Sequence, residues 1–211
     1  MNFSGIRREY RKMYLSEEEI DRDPFRQFHL WFRQASDAGI EDVSAMSLST
    51  INFSGFPSSR MVLLKDFDEK GFTFFTNYDS SKGKELKMNN RAALLFYWKE
   101  LERQVRVTGI AKKIPRKDSV AYFSSRPIES RISAVISPQS LVIPDRMWLD
   151  NRWNEVQEKF RRADPVIPDG WGGFLVKPVE FEFFQGREHR LHDRIRYRQF
   201  KGKWILERLA P

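Results

Sequence analysis

Apolar and polar residues follow two different rhythms along this chain. Between residues 23 and 39 the period is helical. Asp23-Pro24 has the form of an N-cap followed by a first-turn proline, Phe25, Phe28, Phe32 and Ala35 recur at helical spacing, and Gly39 closes the segment. His29 lies just off that stripe and reads as structural. From residue 45 the period changes to two, and the runs 45–52, 58–65, 71–76, 92–98 and 104–114 read as strands. Their connections are short, which makes them antiparallel neighbours. Further strands are expected at 173–177, 179–184, 194–200 and 203–209, and an amphipathic helix at 145–160 carries Trp148, Leu149, Trp153 and Val156. The expected class is mainly β with flanking helices, an antiparallel sheet curled into a barrel. Residues 1–211 read as a single domain, with 1–22 as a mobile N-terminal arm because they lack a clean period.

Composition narrows the partners. The formal charge is +8, with a pI near 9.7, which admits nucleic acid, acidic membrane or small phosphorylated ligands. The basic residues are spread through strand and helix segments instead of forming a tail, so discrete anion pockets are favoured over a nucleic-acid stripe. With no cysteine, disulfides, thiol nucleophiles and thiolate metal sites are excluded, and a reducing cytoplasm is consistent. Neither a membrane-spanning apolar run nor a signal-peptide core is expected.

Four stretches concentrate the chemistry. In FEFFQGREHRLHDR, residues 181–194, a half-buried strand breaks at Gln185-Gly186 into a dense run of charge holding two of the three histidines. The chain then re-enters a strand with Arg194, Arg196 and Arg198 on one face and Ile195 and Tyr197 on the other. Either a solvated loop or an anionic ligand accounts for this pattern. Arg60 and Lys65 bracket Met61-Val62-Leu63-Leu64, which reads as a strand buried on both sides with a cation at each end. At 77–86 a strand leads into a short helix capped by Ser80 or Ser81, where free N–H groups and Lys82 suit a phosphate as well as they suit an ordinary cap. At 121–131 Tyr122 and Arg126 stand four apart on one helix face, and Ser130 lies early in the next helix. An arginine complementing a helix C-terminus is the plain alternative there.

In order along the chain, RREY (7–10), RMVLLK (60–65), FFTN (74–77), ERQVRV (102–107), YFSSRP (122–127), QS (139–140), WGG (171–173), EHRLHDR (188–194) and ERLAP (207–211) together resemble the pyridoxine 5′-phosphate oxidase family over nearly the whole chain. The resemblance implies an FMN-binding split β-barrel, working as a homodimer with FMN between the subunits. It implies oxidation of pyridoxine 5′-phosphate or pyridoxamine 5′-phosphate to pyridoxal 5′-phosphate, with oxygen reduced to hydrogen peroxide. No metal, nucleic acid or membrane is implied, and the expected location is cytoplasmic.

Carried over by motif, the flavin positions are Arg60, Met61, Val62, Leu63, Leu64, Lys65, Phe75, Thr76, Ser81, Lys82, Gln104, Gln139, Ser140, Phe184 and Arg194. Arg60 and Lys82 are set against the FMN phosphate. The substrate phosphate falls to Lys65, Tyr122, Arg126 and Ser130. Arg190, Leu191 and His192 belong to the substrate's ring, with Arg190 and His192 as the catalytic candidates for orientation or proton handling. Arg7, Arg8, Glu9 and Tyr10 are implied to close over the site as a lid. Two positions depart from the family pattern: Ser81 where an arginine is common, and Phe184 where a tryptophan is common. A different split-barrel flavin oxidoreductase, or a non-catalytic flavin or pyridoxal phosphate binder, is the alternative reading.

Overall fold

The computed structural model describes residues 13–160 and 164–211. Nine strands form one sheet whose main path runs β2-β1-β5-β6-β7-β4-β3, and every pairing is antiparallel. In chain order they are β1 (Ala45–Ile51), β2 (Pro57–Leu63), β3 (Asp66–Asp68), β4 (Gly71–Asn77), β5 (Arg91–Trp98), β6 (Arg103–Lys113), β7 (Trp171–Gln185), β8 (Asp193–Phe200) and β9 (Lys203–Leu209). The path begins with β2 and ends with β3, yet these strands are consecutive in the chain. At the junction the Leu64 N–H reaches Ser44 O at 2.8 Å, and the Lys65 N–H reaches Thr73 O at 2.9 Å. The two ends of the sheet are thereby drawn together, so it curls into the half-closed barrel expected from the strand pattern.

Strand β7 has 15 residues and is the spine of this arrangement. One edge pairs with β6 along nearly its whole length, while the other pairs with β4 through Trp171–Val176 and then with β8 through Glu180–Gln185. The strands expected at 173–177 and 179–184 are thus one strand. What reads as a break at Pro178 is a β-bulge: the register with β6 shifts between Thr108 and Gly109, where Gly109 faces Pro178. Proline has no N–H for the ladder, and the bulge absorbs the missing bond. A side chain at Gly109 would come within 2.4 Å of Lys177 O.

Helix α1 (Pro24–Asp37) fills the barrel's interior face. The Asp23 carboxylate caps it by accepting the Phe25 N–H at 2.9 Å. Phe28 is fully buried, with ring contacts of 4.8 to 5.0 Å to Phe67, Phe72 and Phe96. Trp31 joins Phe28 and Ala35 in the buried stripe, while Phe25 and Phe32 pack at its margin. The other helices are α2 (Ser81–Met88), α3 (Arg116–Ser125), α4 (Ile128–Ile136) and α5 (Arg146–Phe160). Among the described residues no helix is long and apolar enough to cross a membrane.

Two expectations change. Strand β2 is not buried on both sides: Met61 is 65% exposed and Leu63 is 42% exposed, because β2 pairs with β1 alone and leaves its other edge open. The described part of the expected arm, residues 13–22, is anchored rather than free. Leu15 and Ile20 are buried, the Tyr197 hydroxyl donates to Asp21 O, and the Arg208 guanidinium holds Glu17 and Leu15 O. The Arg208 contact keeps the Glu17 carboxyl down at about 2. The Arg7, Arg8, Glu9 and Tyr10 positions lie outside the described residues.

The bulge is directly testable. Gly109→Ala drives a methyl group into the Lys177 carbonyl and is expected to lower stability by about 1–3 kcal/mol in urea unfolding. An unchanged midpoint would mean that the bulge has room for a side chain.

Candidate active site

A cavity of about 540 Å³ opens where β2, the end of β4, the start of α2 and the α3–α4 junction meet. Among its lining residues are Lys65, Thr76, Lys82, Tyr122, Arg126 and Ser130. The local sequence explains why these groups converge. Strand β4 stops at Asn77, whose side-chain oxygen accepts the Asp79 N–H at 2.7 Å. Ser80 then caps α2, its hydroxyl accepting the Gly83 N–H at 3.3 Å. Gly83 has no side chain for a physical reason, since a Cβ there would lie 2.3 Å from Tyr78 O. Helix α2 is therefore seated tightly against the end of β4, with Lys82 turned to the cavity. The Lys82 ammonium donates to Gln139 Oε1 at 3.2 Å and to Thr76 Oγ1 at 3.3 Å. Burial lowers its pKa, with Arg60 adding to the effect and Glu85 opposing it.

The opposite wall is an aromatic stack. Phe75 and Tyr122 lie face to face at 3.8 Å, and Trp171 stacks on Phe75 at 5.4 Å. The Arg126 guanidinium sits over the Trp171 ring at 4.9 Å. Its Nη1 is buried with no hydrogen-bond partner. A buried guanidinium N–H without an acceptor is costly, and an anion in this cavity would satisfy it. Burial lowers the Arg126 pKa and raises that of the Tyr122 phenol, each partly offset by the other group. Desolvation dominates at both.

The remaining sequence-derived positions divide into two sets. Met61, Val62, Leu63, Phe75 and Gln139 line the same cavity. Arg60, Leu64, Ser81 and Ser140 do not, although each lies beside a residue that forms its wall. Leu64 is buried in the core, while Ser81 and Ser140 are exposed. Arg60 is turned into the β1–β2–α2 contact, where it pairs with Glu85 at 2.9 Å.

The second set lies elsewhere. Gln104, Phe184 and Arg194 form one rung across β6, β7 and β8. Gly173 pairs with Phe75 at the other end of β7. From Gly173 to Phe184 a strand advances by roughly 35 Å. Beyond that rung the buried Gln185 anchors the loop start by donating to Leu101 O at 3.1 Å and accepting from Arg103 Nε at 2.9 Å. His189 and Arg190 both adopt left-handed backbone, with φ of 56° and 61°. Non-glycine residues held there cost of order 1–3 kcal/mol each. The Arg187 N–H donates to His192 Nδ1 at 3.0 Å, and the His192 ring lies 4.9 Å from Phe184. An Nδ1 that accepts a hydrogen bond leaves the neutral ring's proton on Nε2.

The arginine face of β8 has an internal explanation. Arg194 Nε bonds Glu182 Oε1 at 2.9 Å, Arg196 bonds Glu207 at 2.7 Å, and Arg198 reaches Glu207 at 3.3 Å. Arg106 supplies a second cation to Glu182 at 3.0 Å. Cross-strand carboxylates thus neutralise the face that the sequence left open to an anionic ligand. Sequence reasoning also passed over Trp171, which lines the cavity, and Glu85, which holds Arg60 beside it. Trp171 stands in the WGG stretch, and its two glycines are the usable signal: a Cβ at Gly172 would lie 2.3 Å from the Tyr78 hydroxyl, and one at Gly173 2.6 Å from Ile114. Glu85 carries no local signal, because its partner is 25 residues away.

Comparison with known proteins gives one family. The family model described as pyridoxamine 5′-phosphate oxidase matches residues 32–160, and that described as pyridoxine 5′-phosphate oxidase C-terminal dimerisation region matches 171–211. Pyridoxine/pyridoxamine 5′-phosphate oxidases of Gloeothece citriformis and Ralstonia pickettii are each 49% identical, over 100% of this chain and 99% of theirs. Among solved structures, PhzG of Burkholderia lata in complex with tetrahydrophenazine-1-carboxylic acid aligns with a TM-score of 0.89 at 27% identity, covering 95% of this chain and 99% of its own. A pyridoxamine 5′-phosphate oxidase-related, FMN binding protein of Nostoc punctiforme shares the fold with a TM-score of 0.73 at 16% identity, covering 91% and 100%.

The His192 contact sets a pH dependence. Burial first, then Arg190, lowers the His192 pKa below its ordinary 6.5, with Asp193 opposing. A histidine whose folded pKa is depressed adds stability that is present above the unfolded value and lost as pH falls through the folded value. In an NMR titration His192 is expected to protonate below pH 6.5, with loss of the Nδ1 hydrogen-bond signature. Protonation at or above 6.5 would contradict the arrangement.

Proposed function

This chain belongs to the pyridoxamine 5′-phosphate oxidase family, and we propose that it oxidises pyridoxine 5′-phosphate and pyridoxamine 5′-phosphate to pyridoxal 5′-phosphate, using FMN and passing the electrons to oxygen to give hydrogen peroxide. The observation that carries this reading is the cavity in which Lys65, Tyr122, Arg126 and Ser130 converge, with Arg126 Nη1 buried and lacking an acceptor. A phosphorylated substrate supplies that acceptor. The guanidinium, ammonium and two hydroxyls match a phosphate in both charge and hydrogen-bonding capacity.

The residues present also fit FMN. Lys82, held by Thr76 and Gln139 at the start of α2, offers a cation beside helix N–H groups to the cofactor phosphate, with Arg60 next to it. Met61, Val62 and Leu63 offer an exposed strand edge and apolar side chains to a flat ring. Bound flavin supplies a two-electron acceptor that oxygen can regenerate. Arg190 and His192 orient the substrate's ring. With Nδ1 taken by the Arg187 N–H, His192 donates through Nε2 and so serves orientation better than proton abstraction.

Gln104, Phe184, Arg190, His192 and Arg194 stand at the far end of β7 from this cavity, so a single copy does not bring the two sets together. A homodimer in which each cavity is completed by the partner's loop resolves the separation. The match of 171–211 to a dimerisation region and the exposed apolar edge of β2 support this reading. PhzG, at 27% identity, was solved with a carboxylic acid, and the phosphate-sized cluster of donors at Tyr122, Arg126 and Ser130 favours a phosphate ester here.

Anaerobic addition of pyridoxine 5′-phosphate to the FMN-loaded protein is expected to bleach the flavin spectrum, and oxygen to restore it. A bound flavin that stays yellow would exclude this substrate. The shared site has its own test. Arg126→Ala and Arg190→Ala chains, each inactive alone, are expected on refolding together to regain roughly a quarter of wild-type activity, since half the dimers are mixed and each mixed dimer holds one intact site. Activity that stays at the floor would place both residues in a site within one chain.

A further inference from the structure

The cation expected to meet the cofactor phosphate is already engaged. Arg60 Nη1 donates to Ser58 O at 2.9 Å, Leu48 O at 3.3 Å and Thr50 Oγ1, while Nη2 donates to Ser58 Oγ at 2.6 Å and Glu85 Oε2 at 2.9 Å. Five acceptors therefore surround the four hydrogens on these two nitrogens. The Arg60 side chain is 20% exposed and that of Glu85 only 5%. Glu85 also accepts the Thr50 hydroxyl hydrogen. A phosphate that draws Arg60 away leaves a buried carboxylate without its counter-charge, and such a group is expensive.

Glu85 cannot follow the arginine. It sits three residues after Lys82 on α2, and Gly83 packs that helix against the Tyr78 carbonyl with no room for even a Cβ. Both Arg60 and Glu85 are close enough to Lys82 to move its pKa in opposite directions, so the three charges act on one another. Their sum is a single positive charge, facing a phosphate monoester of about −1.5 to −2. Ser81, at the first position of the helix, adds none.

We infer that Glu85 competes with the FMN phosphate for Arg60, and that it thereby loosens the hold on the cofactor and sets how readily FMN is released. This rests on the FMN reading above. Glu85 acts through Arg60, as a positioning residue, and does not itself touch the flavin.

The test is a double-mutant cycle on apoprotein, with FMN and riboflavin dissociation constants measured by flavin fluorescence quenching. Glu85→Gln keeps an acceptor for Arg60 and Thr50 but removes the charge. It is expected to tighten FMN by on the order of tenfold while leaving riboflavin, which has no phosphate, unchanged. Arg60→Met is expected to weaken FMN several-fold more in the E85Q background than in the wild type. Equal tightening of both flavins, unchanged or weaker FMN binding by E85Q, or an equal cost of R60M in both backgrounds overturns the inference. Should E85Q not fold, R60M in the wild type decides alone: a loss of less than about tenfold upholds the competition, and a larger loss shows that Arg60 serves the phosphate in spite of Glu85. Wild-type protein that binds no FMN at all would reject the FMN reading itself, a separate result.

Discussion

The shape of the molecule depends on the divided edge of β7. Its outer edge pairs first with β4 and later with β8, while β6 follows it along nearly the full length. A proline with no N–H to give stands near the point of transfer, opposite a glycine that has no side chain to obstruct it. This local irregularity lets one strand serve two neighbours in succession. It also sends the cavity residues and the 187–192 loop to opposite ends of the same strand. Folding and the separation of the chemistry thus have the same origin.

Electrostatics acts differently at the two ends. Along β6, β7, β8 and β9 the arginines are matched by Glu180, Glu182 and Glu207, giving a ladder of opposite charges across neighbouring strands. Exposed members of such a ladder each contribute little to stability, but together they fix register and keep the sheet's solvent face from repelling itself. In the cavity the cations have fewer partners. Arg126 rests on an indole ring and keeps its Nη1 amino group unanswered, and Lys82 meets two neutral oxygens. The overall charge of +8 does not distinguish these situations. Only the positions of the carboxylates do.

The parts of this structure that follow from local rules were legible in the sequence. Period-two alternation located every strand but the three-residue β3, and the Asp23-Pro24 pair located the start of α1. The bulge was not legible, because a proline ends a strand in most contexts and only the facing glycine on β6 shows that it does not here. Strand β2 was misjudged for a related reason: an apolar run such as Met61 to Leu64 is the same string whether a neighbouring strand, a second copy or a ligand covers it. Among site residues, those within one turn or one loop of each other, such as Tyr122, Arg126 and Ser130, were found together. Glu85 was missed because its role arises from a helix and a strand that meet only in the folded chain. The arginine face of β8 read as a ligand site because its neutralising carboxylates stand on other strands.

The left-handed turn at His189 and Arg190 has a consequence for how this protein responds to selection. Glycine is the residue that such backbone prefers, so at these two positions the substitutions that relax the fold remove an imidazole and a guanidinium. Variants chosen for heat resistance alone would drift toward glycine there and, at Arg190, shed the guanidinium proposed to meet the substrate. If Arg190 serves the substrate as proposed, durability and chemistry draw this position in opposite directions.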